Sequence, residues 1–212
     1  MYWRSLLFSS AIGLVAYAWF VKNNLHNPAR IILINAPAGT GVKNNTAVVR
    51  LKNHSSQLLS YAKQKSYNTN HAFLIDMKLT SGSNRFFVYD LKKDSVLKSG
   101  LVTHGYGNND QRISFSNIPG SYCTSLGKYK IGKPYNGRFG LAYKLYGLDS
   151  SNSNAINRYI VLHSHACVPD AEVAPELICM SQGCPTVAPA FLKQLATFLD
   201  MADKPILLYI FY

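Results

Sequence analysis

The stretch Asn157-Arg158-Tyr159-Ile160-Val161-Leu162-His163 has the pattern of a buried β-strand that ends on a histidine. Its central residues, Tyr159-Ile160-Val161-Leu162, are aromatic, β-branched or aliphatic without interruption, which favours a buried strand. A side chain at the end of such a strand is held rigidly. The sequence therefore predicts a sheet at the centre of the fold, with His163 fixed at the end of one strand.

Further strand patterns lie on both sides of this stretch. Strand-like runs occur at residues 72–76, 85–90, 95–103, 128–131, 141–148 and 205–212. Turn residues separate the first three runs, which predicts a β-meander. Residues 105–127 are rich in Gly, Ser and Asn and predict a long loop. We therefore expect a mostly β domain with a few helices and one core.

Apolar residues at helical spacing predict two helices on this domain. One covers residues 46–66, with Ser55 or Ser56 as its cap, and the other covers residues 189–202. Residues 22–45 carry Asn, Pro and Gly at positions typical of loops, and we interpret them as a linker.

The composition is that of a folded chain with a basic surface. Of the 212 residues, 48% are hydrophobic and 15% are charged, and the formal net charge is +12. The basic residues are scattered and no nucleic-acid-binding motif is present, so we expect no nucleic-acid partner. Two interpretations of the charge remain: a solvated surface, or a field that steers an anionic substrate of the bacterial envelope.

An apolar segment at residues 6–21 follows Arg4. It is slightly shorter than the roughly 20 residues of a membrane-spanning helix and slightly longer than the core of a signal peptide. Ala16-Tyr17-Ala18 resembles a cleavage site, although the bulky Trp19-Phe20 follows it. A buried N-terminal helix is the third alternative. We expect residues 1–21 to be a signal peptide or a membrane anchor, which directs the remaining chain out of the cytoplasm.

Cys184 and His163 form the main candidate pair for chemistry. Cys184 lies in Ser181-Gln182-Gly183-Cys184-Pro185, where Gly183 permits unusual backbone dihedral angles. Backbone N–H groups at such a turn can stabilise an oxyanion. A nearby imidazole can take the thiol proton and produce the thiolate that attacks a carbonyl. Spacing alone also fits a structural cysteine and a hydrogen-bonded core histidine, so both interpretations stay open.

The chain has four cysteines, which are Cys123, Cys167, Cys179 and Cys184. Cysteines of exported proteins tend to pair, and Cys167 and Cys179 are the pair that we expect if Cys184 is a free nucleophile. Zinc bound by the cysteines with His163 and His165 is an alternative. The cysteine spacing does not match the short pairs of structural zinc sites, so we expect no metal and no cofactor.

Seven short segments carry a resemblance to a known family. They are Arg85-Phe86-Phe87-Val88-Tyr89-Asp90-Leu91, Val102-Thr103-His104-Gly105, Phe115-Ser116-Asn117-Ile118-Pro119-Gly120-Ser121, Thr124-Ser125-Leu126-Gly127-Lys128-Tyr129, Tyr146-Gly147-Leu148-Asp149, Arg158-Tyr159-Ile160-Val161-Leu162-His163 and Ser181-Gln182-Gly183-Cys184-Pro185. In this order, between residues 71 and 200, they resemble the L,D-transpeptidase catalytic domain, in particular its YkuD-like murein L,D-transpeptidase branch.

The resemblance implies a β-sandwich or barrel fold and a cysteine acyltransferase that acts on peptidoglycan stem peptides. Cys184 would attack a tetrapeptide stem at its L-centred diamino acid, release D-alanine and hold the remainder as a thioester. An amine would then give a cross-link, and water would make the enzyme a carboxypeptidase. The resemblance also implies His163 as general base, the N–H groups of Gly183 and Cys184 as an oxyanion hole, and Ser164 as a residue that orients the imidazole. The residues expected to contact substrate are His104, Gly105, Ser181, Gln182 and Tyr122.

The chain departs from the family pattern around the nucleophile. Gln182 and Thr186 stand where the wider family often has His and Arg, and Met180 stands where the closer branch commonly has Arg. Phe139, in Gly137-Arg138-Phe139-Gly140, replaces a histidine of that branch. These departures bear on substrate contacts and acceptor preference more than on the attack itself.

Several alternatives stay open. His104 is an alternative base, since the neighbouring Gly105 also indicates a loop near a site. His165 faces the same side as His163 if the strand continues, as a supporting or surface residue. Tyr129 is expected mainly in the core. The alternative function is a non-catalytic peptidoglycan-binding envelope protein with a degenerate site.

The domain organisation follows from these patterns. We expect a linker and short helix over residues 22–70 and the catalytic domain over residues 71–212. The protein is then periplasmic, either secreted or attached to the inner membrane by its N-terminus.

Overall fold

A computed structural model describes residues 41–107 and 113–212. The predicted signal peptide or anchor at residues 1–21 and most of the predicted linker lie outside the described residues. Within the described ranges, no helix combines the length and hydropathy needed to cross a bilayer.

The domain is built on one mixed sheet of eight strands. The strands are β1 (His71–Asp76), β2 (Phe86–Asp90), β3 (Ser95–Gly100), β4 (Gly127–Gly137), β5 (Gly140–Gly147), β6 (Val161–Ser164), β7 (Thr186–Val187) and β8 (Leu207–Phe211). Their order in the sheet is β3-β2-β1-β8-β4-β5-β6-β7. The β1–β8 and β6–β7 pairs are parallel and the other pairs are antiparallel. The mostly β prediction and the β1–β2–β3 meander are confirmed.

The two ends of this sheet meet at one point. Val102, just beyond β3, forms an antiparallel bridge with Val187 in β7. The Thr103 N–H also donates to the Thr186 carbonyl at 2.9 Å. The sheet therefore curls back on itself, which is closer to a barrel than to two stacked sheets.

Among the residues that the structure describes, two α-helices flank the sheet, α1 (Gly41–Gln64) and α2 (Pro189–Asp200), together with one 3-10 turn at Ser150–Asn152. Both helices were predicted, but α1 begins five residues before residue 46. The prediction of Ser55 or Ser56 as its cap is wrong. Both lie inside α1, where their hydroxyls donate to the carbonyls of Lys52 and Asn53 at 2.9 Å.

Hydrophobic residues cover both faces of the central strands. In β1, Phe73 and Ile75 belong to the larger core, which also contains residues of α2. Ala72 and Leu74 alternate with them and belong to a second cluster under α1. The sheet is thus held between two helices, and its strand ends have fixed positions.

The predicted strand over residues 157–163 is only half correct, because β6 begins at Val161. The N–H groups of Arg158 and Tyr159 donate to the carbonyls of Asn154 and Ile156, which forms turns instead. Tyr159 has a φ of 56° and is 84% exposed, so the apolar pattern there does not reflect burial. Similarly, β3 ends at Gly100 rather than at residue 103.

Candidate active site

The parallel pairing of β6 with β7 builds the candidate site. It places His163 opposite Thr186, two residues after Cys184. A cavity of about 450 Å³ opens beside this pair. Its lining residues are Thr103, Tyr106, Arg138, Phe139, His163, His165, Cys167, Met180, Ser181, Gln182, Cys184 and Thr186. The structure therefore brings the two candidate catalytic side chains to one cavity.

Residues 181–185, the nucleophile turn, are held by a serine and a glycine. Ser181 Oγ accepts the Gly183 N–H at 3.1 Å and donates to the Cys184 carbonyl at 2.7 Å. Gly183 has a φ of 108°, and a Cβ there would lie 2.7 Å from the Cys123 carbonyl oxygen. No other residue fits that backbone without strain.

Residues 104–106 support the same turn from the other side. The Ser181 N–H donates to the His104 carbonyl at 2.8 Å, and the Tyr106 N–H donates to the Ser181 carbonyl at 2.9 Å. Gly105 lies between them, and a Cβ there would approach the Tyr122 carbonyl oxygen to 2.1 Å. His104 and Gly105 thus lie under the turn and outside the cavity lining.

The Cys184 thiol is held by backbone groups. Its Sγ donates to the Tyr159 carbonyl at 3.7 Å and accepts the Val161 N–H at 3.5 Å. Burial raises the pKa of the Cys184 thiol above its ordinary value, and the Val161 N–H and the Arg158 charge oppose that shift. The thiol is therefore protonated at neutral pH.

The His163 imidazole is held at both ring nitrogens. Nδ1 lies 3.1 Å from the Ser164 carbonyl oxygen and Nε2 lies 3.1 Å from Thr186 Oγ1. Because a carbonyl only accepts, Nδ1 carries the proton in the neutral ring and Nε2 keeps its lone pair. Phe139 stacks on the ring, with centroids 4.9 Å apart. Burial lowers the pKa of His163, so the ring is neutral at pH 7.

The resting pair is thus a neutral thiol beside a neutral imidazole. Among the described residues, the thiol has hydrogen bonds to Tyr159 and Val161 and none to His163. Proton transfer to Nε2 requires the thiol to turn away from the Tyr159 carbonyl. The arrangement suits general-base activation during the reaction rather than a preformed ion pair.

Alkylation of Cys184 should follow this protonation state. In a Cys123→Ala background, the iodoacetamide rate is expected to rise about tenfold per pH unit from pH 7 to 9, because only the thiolate reacts and its fraction grows with pH. Intact mass against time at each pH measures the rate. A rate that is already constant from pH 6 upward would instead show a thiolate–imidazolium pair and contradict this assignment.

Arg158 ties the nucleophile turn to the preceding loop. Its guanidinium donates to the carbonyls of Ser116 and Cys123 at 2.9 and 2.6 Å, and it also contacts the Ser125 hydroxyl. The carbonyl of Cys123 is the one that faces Gly183. Arg158 therefore sets the distance between this loop and the turn, and its charge favours the thiolate.

The remaining predicted site residues have different positions. Gln182 is exposed on the cavity wall. Tyr122 does not line the cavity. Its ring stacks on the ring of Tyr106, which does line the cavity, with the ring centroids 5.0 Å apart. His104 Nδ1 lies 3.0 Å from the buried Arg85 guanidinium. Burial and the Arg85 charge lower the pKa of His104 to about 4, and His104 is not among the residues that line the cavity.

The four cysteines divide into one pair and two free thiols. The predicted Cys167–Cys179 disulfide is present. Cys123 is free and buried, and Cys184 is free at the cavity. Two of the cysteines in the zinc alternative are bonded to each other, so they are not available as thiolate ligands.

Sequence reasoning did not assign cavity roles to Thr186, Phe139, Arg138 and Tyr106. Thr186 and Phe139 were visible only as departures from the family pattern. His165 does share the side of His163, since Phe139 also meets its ring edge-on at 5.7 Å. The sequence feature that could have identified Phe139 as a cavity residue is the Gly-Arg-Phe-Gly segment, which forms the tip of the β4–β5 hairpin and reaches the cavity.

A family model described as L,D-transpeptidase catalytic domain matches residues 43–211 of the chain. No curated protein shows significant sequence similarity to it. Similar solved structures include the helical cell shape determining protein Pgp2 from Campylobacter jejuni, with 13% identity and a TM-score of 0.42 over 66% of this chain and 46% of that one.

Two further structures show the same degree of likeness. The Ldtfm-avibactam carbamoyl enzyme has 12% identity and a TM-score of 0.42, over 68% of this chain and 49% of that one. An L,D-transpeptidase from Stackebrandtia nassauensis has 15% identity and a TM-score of 0.39, over 74% and 64%. The chain spans less than two thirds of the length of each of these structures.

Proposed function

Since this chain belongs to the L,D-transpeptidase catalytic-domain family, we propose that it is a cysteine acyltransferase that modifies peptidoglycan stem peptides, with Cys184 as nucleophile. The observation that carries this proposal is the placement of Cys184 and His163 at one cavity by the β6–β7 pairing.

The first half-reaction forms a thioester. Cys184 Sγ attacks the carbonyl of the L-centred diamino acid in a tetrapeptide stem while His163 Nε2 takes the thiol proton. The C–N bond to the terminal D-alanine then breaks, and the imidazolium returns the proton to the leaving amine. Hydrogen bonding of Nδ1 to the Ser164 carbonyl favours this proton transfer, because it stabilises the imidazolium and fixes the ring.

The second half-reaction releases the acyl group. An amine from a second stem loses a proton to His163 and attacks the thioester, and Cys184 departs as a thiolate that recovers the proton. Water in place of the amine gives carboxypeptidase activity. His163 therefore acts as base and then as acid in each half-reaction.

The nucleophile turn supplies a donor for the oxyanion. Among the described residues, the Cys184 N–H has no acceptor, so it is free for a developing negative charge. The Gly183 N–H, in contrast, already donates to Ser181 Oγ. We assign Cys184 N–H as the first oxyanion donor and Gly183 N–H as a second that must exchange its partner.

The cavity wall fits an anionic peptide. Arg138 is exposed at the hairpin tip, with its guanidinium 5.6 Å from the Phe139 ring, and His165 faces the same ring. A stem peptide ends in a carboxylate, which Arg138 can bind. Gln182 and Met180 line the cavity in place of the family's basic residues, so recognition of the donor rests more on the hairpin. Such a substrate places the protein in the cell envelope.

The proposal is tested by turnover of a purified disaccharide-tetrapeptide. The full chain should release free D-alanine, and a tripeptide product or an amine-linked dimer should form in equal amount, as measured by mass spectrometry. Addition of D-methionine as an acceptor should divert the product to an exchanged tetrapeptide. No release of D-alanine under any of these conditions would contradict the catalytic proposal.

One observation favours a second candidate function, a non-catalytic peptidoglycan-binding protein. At rest the thiol faces the Tyr159 carbonyl and is not hydrogen-bonded to His163. A non-catalytic binding protein should sediment with purified sacculi and should form no covalent adduct. Turnover together with sacculus binding supports the enzyme, and binding without turnover supports the alternative.

A further inference from the structure

The Thr186 hydroxyl lies at the nitrogen that has to receive the Cys184 proton. Its Oγ1 is 3.1 Å from His163 Nε2. Because Nδ1 carries the ring proton and faces the Ser164 carbonyl, Nε2 offers one lone pair, and the hydroxyl donates to it. That lone pair accepts one strong hydrogen bond at a time. The thiol and the hydroxyl therefore compete for the same atom.

The backbone of Thr186 fixes it beside the imidazole. The β6–β7 register pairs Thr186 directly with His163. The Thr186 N–H donates to Thr103 Oγ1 at 3.1 Å, and the Thr186 carbonyl accepts the Thr103 N–H at 2.9 Å. Only 3% of Thr186 is exposed, so neighbouring groups enclose its side chain. The oxygen atom therefore keeps its position, and the hydroxyl hydrogen is the part that can turn.

The Thr186 hydroxyl has a second acceptor within reach. The Cys184 carbonyl oxygen lies 3.5 Å from Thr186 Oγ1, which is longer than the 3.1 Å to Nε2 and favours Nε2 at rest. That carbonyl already accepts the hydroxyls of Ser181 and Thr103, at 2.7 and 3.2 Å. When the thiol approaches Nε2, rotation of the O–H bond redirects the Thr186 donor to this carbonyl, so the hydroxyl is not left without an acceptor.

The Cys184 thiol is also held by other partners in the resting state. Its Sγ is bonded to the Tyr159 carbonyl and the Val161 N–H, at 3.7 and 3.5 Å. Within the described part of the chain, no hydrogen bond joins Sγ to His163. Activation therefore requires two exchanges. The one at the sulfur involves backbone groups, whereas the one at the nitrogen depends on a single side chain.

We propose that the Thr186 hydroxyl occupies His163 Nε2 at rest and so limits the activation of Cys184. The thiol proton passes to Nε2 after the hydroxyl has turned to the Cys184 carbonyl. Thr186 is a positioning residue in this scheme, because it acts through the imidazole. The inference rests on the proposed function, since it takes His163 as the base for Cys184.

Alkylation of Cys184 by iodoacetamide tests this inference without a peptide substrate. In a Cys123→Ala background at pH 7, Sγ bonds to the methylene carbon, iodide leaves and His163 takes the thiol proton. Thr186→Val keeps the branched shape without the hydroxyl and should raise the rate roughly threefold to tenfold, the effect of one net hydrogen bond. Thr186→Ser restores the hydroxyl and should react like the parent protein. Intact mass against time measures each rate.

Two further variants separate the effect of the hydroxyl from a general loosening of the site. Thr197→Val makes the same change on the exposed surface of α2 and should leave the rate unchanged. Thr186→Val combined with His163→Ala should react no faster than His163→Ala alone, because the gain acts through Nε2. Cooperative thermal unfolding above the assay temperature shows that each variant is folded.

An unchanged rate in Thr186→Val would overturn the proposal. A lower rate would overturn it too, and would make the hydroxyl a participant in the proton transfer. A gain that Thr186→Ser shares, or that persists without His163, would assign the effect to packing and contradict the proposal. Faster alkylation of Thr186→Val without D-alanine release by the parent chain would leave this inference standing and the proposed reaction contradicted. D-alanine release with an unchanged alkylation rate would give the reverse.

Discussion

Replacement of Cys184 by alanine is expected to reduce D-alanine release at least about 10³-fold, because the thioester cannot form without the Sγ atom. Wild-type protein treated with a carbapenem should gain the mass of one acyl adduct, and Cys184→Ala should gain none. Cys184→Ser is a closer variant in shape, and it should be nearly as inactive, since His163 in its neutral, doubly held state is suited to a thiol and not to a hydroxyl of much higher pKa.

The matched control is Cys123→Ala. Cys123 is the other free cysteine, and its buried Sγ donates to the Ser121 carbonyl at 3.3 Å, away from the cavity lining. Its thiol should contribute nothing to the adduct, which stays at one per chain in this variant. An adduct that persists in Cys184→Ala and disappears in Cys123→Ala would move the nucleophile to the other cysteine. D-alanine release that is unchanged in Cys184→Ala would contradict the assignment of Cys184 as the nucleophile.

The sequence identified the elements whose patterns are local. The β1–β2–β3 meander and helix α2 were predictable because alternation and helical spacing are properties of neighbouring residues. Tyr159 was misplaced for a physical reason: an aromatic residue in a turn is indistinguishable from one in a strand until the hydrogen bonds of residues 154–160 are known. The cap at Ser55 failed because a serine inside a helix can donate to the preceding turn instead.

The residues of the candidate site also differ in how far the sequence alone predicts them. Cys184 and Gly183 were recognisable from one short motif, and His163 from the end of one strand. The contacts that hold them come from distant parts of the chain. Thr186 reaches His163 only through the parallel β6–β7 pairing, and Phe139 reaches it from the tip of another hairpin. The sequence pattern placed Arg158 in a strand. In the structure it lies in the turn before β6, and from there its guanidinium reaches the Cys123 carbonyl.

The orientation of the Cys184 thiol bears on both proposed functions. Its backbone partners are Tyr159, in the turn before β6, and Val161, the first residue of β6, which lie four and two residues before His163. A substrate carbonyl that approaches the free Cys184 N–H would also approach Sγ. Rotation of the thiol toward Nε2 then breaks its weak hydrogen bond to the Tyr159 carbonyl, and Nε2 exchanges the Thr186 hydroxyl for the thiol. The resting orientation therefore keeps the thiol on backbone partners without preventing its activation.

Arg50→Ala is expected to lower the free energy of unfolding by about 3 kcal/mol, because it leaves a buried carboxylate without its main partner. Asp76 ends β1 and is fully buried, and Arg50 in α1 donates to its Oδ2 from two nitrogens, at 2.8 and 2.6 Å. The Lys78 N–H and the charge of Arg85 still stabilise the carboxylate, which places the loss at the lower end of the range for broken buried pairs. Urea unfolding followed by circular dichroism measures it.

The same helix provides the control for this ion pair. Lys52 pairs with Asp94 at 3.1 Å, but both side chains are 54% exposed, so Lys52→Ala should cost no more than about 1 kcal/mol. If Arg50→Ala lowers the free energy of unfolding no more than Lys52→Ala does, this prediction is contradicted. Such a result would mean that water or Arg85 already stabilises the negative charge of Asp76. Arg50→Ala combined with Asp76→Asn should recover part of the lost stability, because the amide needs no counter-ion. That recovery would show that the loss in Arg50→Ala comes from the unpaired buried carboxylate and not from lost packing of α1.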